Sequence, residues 1–215
     1  MSISSIAEAI PTEIARGRGG GGPATTRIVV AYGFWIFLLS DIIIFSGLFA
    51  DYAVLSERNA GGPTGRELFD LPNVFIETMC LLVSSYTCGL GVLAGERRRP
   101  DFFYICFALT FILGLAFLLL EVSEFAGMVR DGAGPQRSAF LSAFFTLVGT
   151  HGGHVTAGLI WLLYMVAQVF AKGFRARVTQ RLLCFSLFWH ALDIIWVAIF
   201  TVVYLIGGSN AAAGP

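Results

Sequence analysis

The sequence predicts an all-α integral membrane protein with five transmembrane helices, and three observations predict it. Hydrophobic residues make up 56% of the 215-residue chain and charged residues 13%, about half the charge of an ordinary soluble domain; mean hydropathy is +0.77. Such a chain cannot cover a globular surface with polar side chains, which excludes an ordinary cytosolic enzyme and a disordered polypeptide. The apolar residues gather in five runs of the ~20 residues or more that a spanning helix needs, without the alternation of membrane β-strands. All 14 Lys and Arg fall outside those runs. Net charge is zero, so nothing points to the basic face that nucleic acid binding requires.

Taken in order, residues 1–27 contain RGRGGGGP and no apolar core of signal-peptide length. They read as a flexible cytoplasmic tail rather than a cleaved leader. The glycine run precedes an apolar helix rather than following a strand, so it is not a phosphate loop. The five-helix bundle is expected over 28–206, with spans at about 28–55, 71–94, 102–125, 139–171 and 182–206, and a short periplasmic tail at 207–215. The fourth run is free of Lys, Arg, Asp and Glu over 33 residues, ~50 Å as a helix. That exceeds a ~30 Å hydrocarbon layer, so this helix must tilt or protrude.

The cations divide unequally between alternate connections. Arg16, Arg18, Arg27, Arg97, Arg98, Arg99, Lys172, Arg175, Arg177 and Arg181 lie on one side, against Arg58, Arg66, Arg130 and Arg137 on the other. The positive-inside rule then places the N-terminus in the cytoplasm and the C-terminus in the periplasm. Cys80, Cys88, Cys106 and Cys184 all fall inside spans without a CxxC pair and read as free, apolar packers.

Ionisable groups inside the spans carry the functional signal. The candidates among them are Asp41, Glu77, Glu121, Glu124, His151, His154, His190 and Asp193, and no Lys or Arg lies in any span. An acid near a span's centre costs ~2.5–3.5 kcal/mol on insertion scales, so each is expected to be neutralised, hydrogen-bonded or turned towards a partner. Glu121 and Glu124, His151 and His154, and His190 and Asp193 are each three residues apart, hence on one helix face. A metal site is one reading, but di-iron bundles use Glu-x-x-His pairs. A stand-alone metal or proton transporter is another, but transporters show two similar halves, which five spans cannot form. The reading preferred is structural: no catalytic residue and no metal ligand, only polar groups that lock helices to one another, to lipid and to a partner. Gly91-x-x-x-Gly95, Gly149-x-x-x-Gly153 and Gly153-x-x-x-Ala157 follow the small-residue packing pattern. Trp35 and Trp161 fit interfacial anchors, whereas Trp189 and Trp196 are expected to pack inside.

These residues resemble one family, subunit III of the haem-copper respiratory oxidases. The run Trp189-His190-Ala191-Leu192-Asp193-Ile194-Ile195-Trp196 resembles its WHxxDxxW, Thr150-His151-Gly152-Gly153-His154 its THGxH, Glu124-Phe125 its acid-aromatic pair, and Ser40-Asp41 its serine-acid pair, all in family order. Five spans rather than seven, with GGPTGRELFDLP and GPQRSAFLSAFF, resemble the bacterial cytochrome bo-type ubiquinol oxidase branch; cytochrome c oxidase and nitric oxide reductase accessory subunits are the related alternatives. The resemblance implies a non-redox accessory subunit of a proton-pumping terminal ubiquinol oxidase in the inner membrane. It implies no cofactor in this chain, haems and copper in the catalytic subunit I, subunits II and IV as further partners, bound phospholipid, and support for proton or dioxygen access.

Overall fold

The computed structural model describes residues 26–56, 58 and 70–207. Nearly all of the expected N-terminal tail, most of the GGPTGRELFDLP segment and all but Gly207 of the C-terminal tail lie outside them. Five helices are long and apolar enough to cross a membrane: α1 (Thr26–Leu55), α2 (Leu71–Glu96), α3 (Pro100–Arg130), α4 (Ala139–Lys172) and α5 (Ala176–Ile199), the last continued by a π-helical Phe200–Ile206.

Local chemistry sets the helix ends. Pro72 and Pro100 stand in the first turns of α2 and α3, where an unused N–H costs nothing. The Ser138 hydroxyl accepts from the Leu141 N–H at 3.2 Å and caps α4, as an N-cap serine should. Gly173 ends α4 at φ 66°, the left-handed region that glycine enters freely. The α2–α3 turn is tighter. Arg98 itself adopts φ 53°, and the N–H groups of Arg97, Arg98 and Arg99 cap the carbonyls of Leu93, Gly95 and Ala94.

Two helices extend further than their apolar runs. α3 continues from Phe125 to Arg130 and α5 starts at Ala176 rather than Leu182. Hydropathy marks only the part of a helix that suits hydrocarbon. The backbone ladder goes on through charged residues, and Arg130 in the last turn of α3 also complements the helix dipole.

α5 is the axis of the bundle, in contact with α1, α2 and α4, while α3 packs between α2 and α4. α1 is peripheral: only 11% of its most apolar window is buried in the chain, against 56% for α2. Trp189 and Trp196 are 1% and 0% exposed, at the centre of a core of aromatic rings. Trp161 meets Phe34, Phe185 and Phe188, so it joins α1, α4 and α5 rather than serving as an anchor at the rim. Trp35 is 50% exposed.

Close approach depends on particular glycines. A Cβ at Gly91 would lie 2.5 Å from the Phe107 ring, one at Gly158 2.8 Å from Trp189, and one at Gly114 3.0 Å from Trp189. Gly153, in two of the small-residue patterns, has nothing within 4 Å and is exposed, as is Ala157. That part of the stripe faces away from the chain's own helices, whereas Gly149 faces Phe125 of α3. Spacing alone therefore picked out Gly91 but missed Gly114 and Gly158, which are defined by the indole they admit.

Gly91→Ala and Gly158→Ala should each destabilise the protein by about 1–3 kcal/mol through overpacking, whereas Gly33→Ala, with open space around it, should be neutral. Thermal unfolding of the detergent-purified protein checks this ordering.

Candidate functional site

The intramembrane polar residues divide into two groups. The first lies near the midpoints of α2 and α5. Ser85 Oγ and His190 Nδ1 are 2.5 Å apart, and the Ser85 hydroxyl also reaches the Asp193 carboxyl. At the neighbouring residues the Trp189 indole N–H donates to Ser84 Oγ at 3.1 Å, and further along the Trp196 indole N–H donates to Thr78 Oγ1 at 3.1 Å. The Thr87 and Thr110 hydroxyls, 2.8 Å apart, join α2 to α3. α5 thus presents its donors to a line of small hydroxyl residues on α2.

Serine, histidine and aspartate here do not form a hydrolytic triad. In such a triad the acid sits behind the imidazole and the serine in front of it. Here His190 Nδ1 and Asp193 both turn to the same hydroxyl, so no imidazole nitrogen is oriented as a base towards Ser85 by the carboxylate. The arrangement joins helices.

The second group lies at the end of the bundle that carries the α1–α2 and α3–α4 connections. Glu77 and Glu121 are 0% and 3% exposed, and Glu124 is half-buried. The three carboxyls lie within electrostatic range of one another. The Tyr204 phenol, brought inward on the π-helical turn, interacts with all three and with Tyr52. Glu121 lies directly against α4: a Cβ at Gly152 would stand 2.8 Å from its Oε1. Glu77 accepts from the Asn73 amide at 3.5 Å.

The two α4 histidines behave differently. His154 Nδ1 lies 2.8 Å from the Thr150 carbonyl, closing a bond within its own helix. His151 is fully buried, and neither ring nitrogen has a hydrogen-bond partner among the described residues. It is held as a ring, stacked on Trp196 at 5.2 Å and edge-on to Phe117 at 5.9 Å. Phe45 of α1 packs on both histidines. Asp41 is half-buried one turn before Phe45, outside both groups. Among the described residues no three His, Cys, Asp or Glu side chains gather as a metal site would require. All four cysteines are free.

With this geometry in view, the comparison with known proteins decides the family. The model of Cytochrome c oxidase subunit III matches residues 17–208. The chain belongs to the cytochrome c oxidase subunit III family. It is 49% identical to Cytochrome bo(3) ubiquinol oxidase subunit 3 of Pseudomonas aeruginosa over 176 residues, 82% of this chain and 84% of the relative. It is 46% identical to the protein of the same name from Buchnera aphidicola subsp. Schizaphis graminum, over 85% of this chain and 97% of the relative. It is 43% identical to Quinol oxidase subunit 3 of Bacillus subtilis, over 81% and 86%. Among haem-copper oxidase subunits the similarity therefore runs to the quinol oxidases, and other subunits of such an oxidase are the chain's partners.

Sequence reasoning missed the α2 side of the first group. Thr78, Ser84 and Ser85 are ordinary small residues in a sequence, and the two indole partners, Thr78 and Ser84, stand six apart, not the seven that separate Trp189 from Trp196. No matching interval in the sequence therefore marks the hydroxyl–indole seam. The Tyr52–Tyr204 pairing had no signal either, because it depends on the π-helical turn.

A double-mutant cycle of Trp189→Phe and Ser84→Ala should show a coupling of about 0.6 kcal/mol, the usual size for an interhelical polar bond in a membrane. Unfolding titrations of the four proteins in detergent measure it, and additive single effects would show that the bond contributes nothing.

Proposed function

We propose that this chain is the accessory third subunit of a proton-pumping ubiquinol oxidase in a bacterial inner membrane, and that it contributes shape rather than electron transfer. The observation that carries the reading is how the WHxxDxxW residues are used. Trp189, His190 and Trp196 all bond to α2 hydroxyls, in a chain whose relatives are named as ubiquinol or quinol oxidase subunits. The residues that distinguish the family are thus spent on joining helices.

In this reading the haems and copper reside in subunit I, with subunits II and IV completing the complex. The sparsely buried α1 supplies surface for subunit I and for phospholipid, with Asp41 on that helix. The excess of Arg and Lys on alternate connections supports a cytoplasmic N-terminus and a periplasmic C-terminus. Support for proton or dioxygen access to the catalytic subunit is indirect, through the packing and lipid that this bundle holds in place.

The test compares the purified oxidase with and without this chain. Haem and copper content and the optical spectrum should be the same in both, initial quinol oxidation should persist, and thermal stability should fall when the chain is absent. Haem or copper lost in proportion to the chain, and recovered bound to the isolated chain, would contradict the proposal.

A further inference from the structure

Among the described residues, Glu77 Oε2, Glu121 Oε2, Glu124 Oε1 and the Tyr52 hydroxyl, four buried polar atoms at one end of the bundle, have no hydrogen-bond partner. They come from three helices. Tyr52 is independent of the acids. It belongs to α1, is 2% exposed, and is linked electrostatically to Tyr204, which in turn interacts with all three carboxyls. The four groups therefore face one region of the bundle interior.

Buried polar groups are almost always hydrogen-bonded, and where protein supplies no partner, ordered water does. Each of these four atoms is enclosed within the chain, which argues against a side chain of a neighbouring subunit as the partner. No trio of ligating groups suited to a metal ion occurs among the described residues, which argues against a bound metal. Water satisfies both conditions, since it donates and accepts and needs two to four polar neighbours. The region also has a way out. Glu124 is half-buried and lies within electrostatic range of Asp70, an exposed residue immediately before α2.

We infer that Glu77, Glu121, Glu124 and Tyr52 enclose a cluster of bound water that opens beside Asp70 at the face carrying the α1–α2 and α3–α4 connections. The site holds water and exchanges protons with that face. The inference stands on the bundle's own geometry. Only the naming of the face as periplasmic rests on the orientation proposed above.

Two experiments on the assembled oxidase test it. In a high-resolution structure of the unmodified complex, water density should lie within hydrogen-bonding distance of Glu77 Oε2, Glu121 Oε2 and the Tyr52 hydroxyl; a dry interior, a metal ion, or a partner's side chain at those atoms would overturn the inference. In sealed vesicles, a membrane-impermeant thiol reagent should label Glu124→Cys from the same side as Gly134→Cys in the α3–α4 connection, above the background of the unmodified complex. No labelling, or labelling from the opposite side to Gly134→Cys, would overturn it. The side on which Gly134→Cys itself reacts tests the orientation separately. If Glu124→Cys does not assemble, the density in the unmodified complex decides.

Discussion

Inside a bilayer a polar side chain has no water to fall back on, so every such group must be satisfied by protein, by enclosed water or by a neighbouring subunit. This constraint organises the bundle. The α2–α5 seam answers it by matching: indole N–H groups and an imidazole on α5 meet hydroxyls on α2. Because α5 packs on α1, α2 and α4 and its indoles also meet Gly114 and Phe117 of α3, fixing its rotation against α2 fixes which rings it presents to the other helices.

Histidine has three fates in one chain, and two of them meet this constraint through bonds among the described residues. His190 is bonded across helices and His154 bonds back to its own helix. His151 lies among Trp196, Phe117 and Phe45, where an imidazole serves as an aromatic plate. Ring packing supplies cohesion where polar bonds supply orientation. Interhelical hydrogen bonds in membranes are individually weak, so the specificity of this bundle comes from their register. Much of its tightness comes from glycines that admit indole and phenyl rings.

The architecture was largely legible in the sequence, because a ~30 Å apolar solvent imposes long uncharged runs that composition alone exposes. What stayed hidden follows from the same physics. Helix ends at Arg130 and Ala176 lie where hydropathy no longer tracks backbone bonding. The inward faces of Glu121, His190 and Trp196 follow from three- and seven-residue intervals. The partners of those residues do not, because a serine on α2 carries no mark of which helix it will meet. Tyr204 was least legible: a π-helical turn shifts which residues face inward, and no periodicity read from an ideal helix anticipates it.

The central claim is that the distinctive tryptophans and histidine of α5 hold helices together and carry no electrons. The most direct test is an oxidase carrying Thr78→Val, Ser84→Ala and Ser85→Ala together, which removes the α2 half of the seam and leaves α5 untouched. The account predicts that this chain is lost from the purified complex, or melts from it at lower temperature, while the haem spectrum and metal content of the remaining complex are unchanged. A complex that retains the chain at full stability yet shows an altered haem spectrum or impaired electron transfer would contradict it.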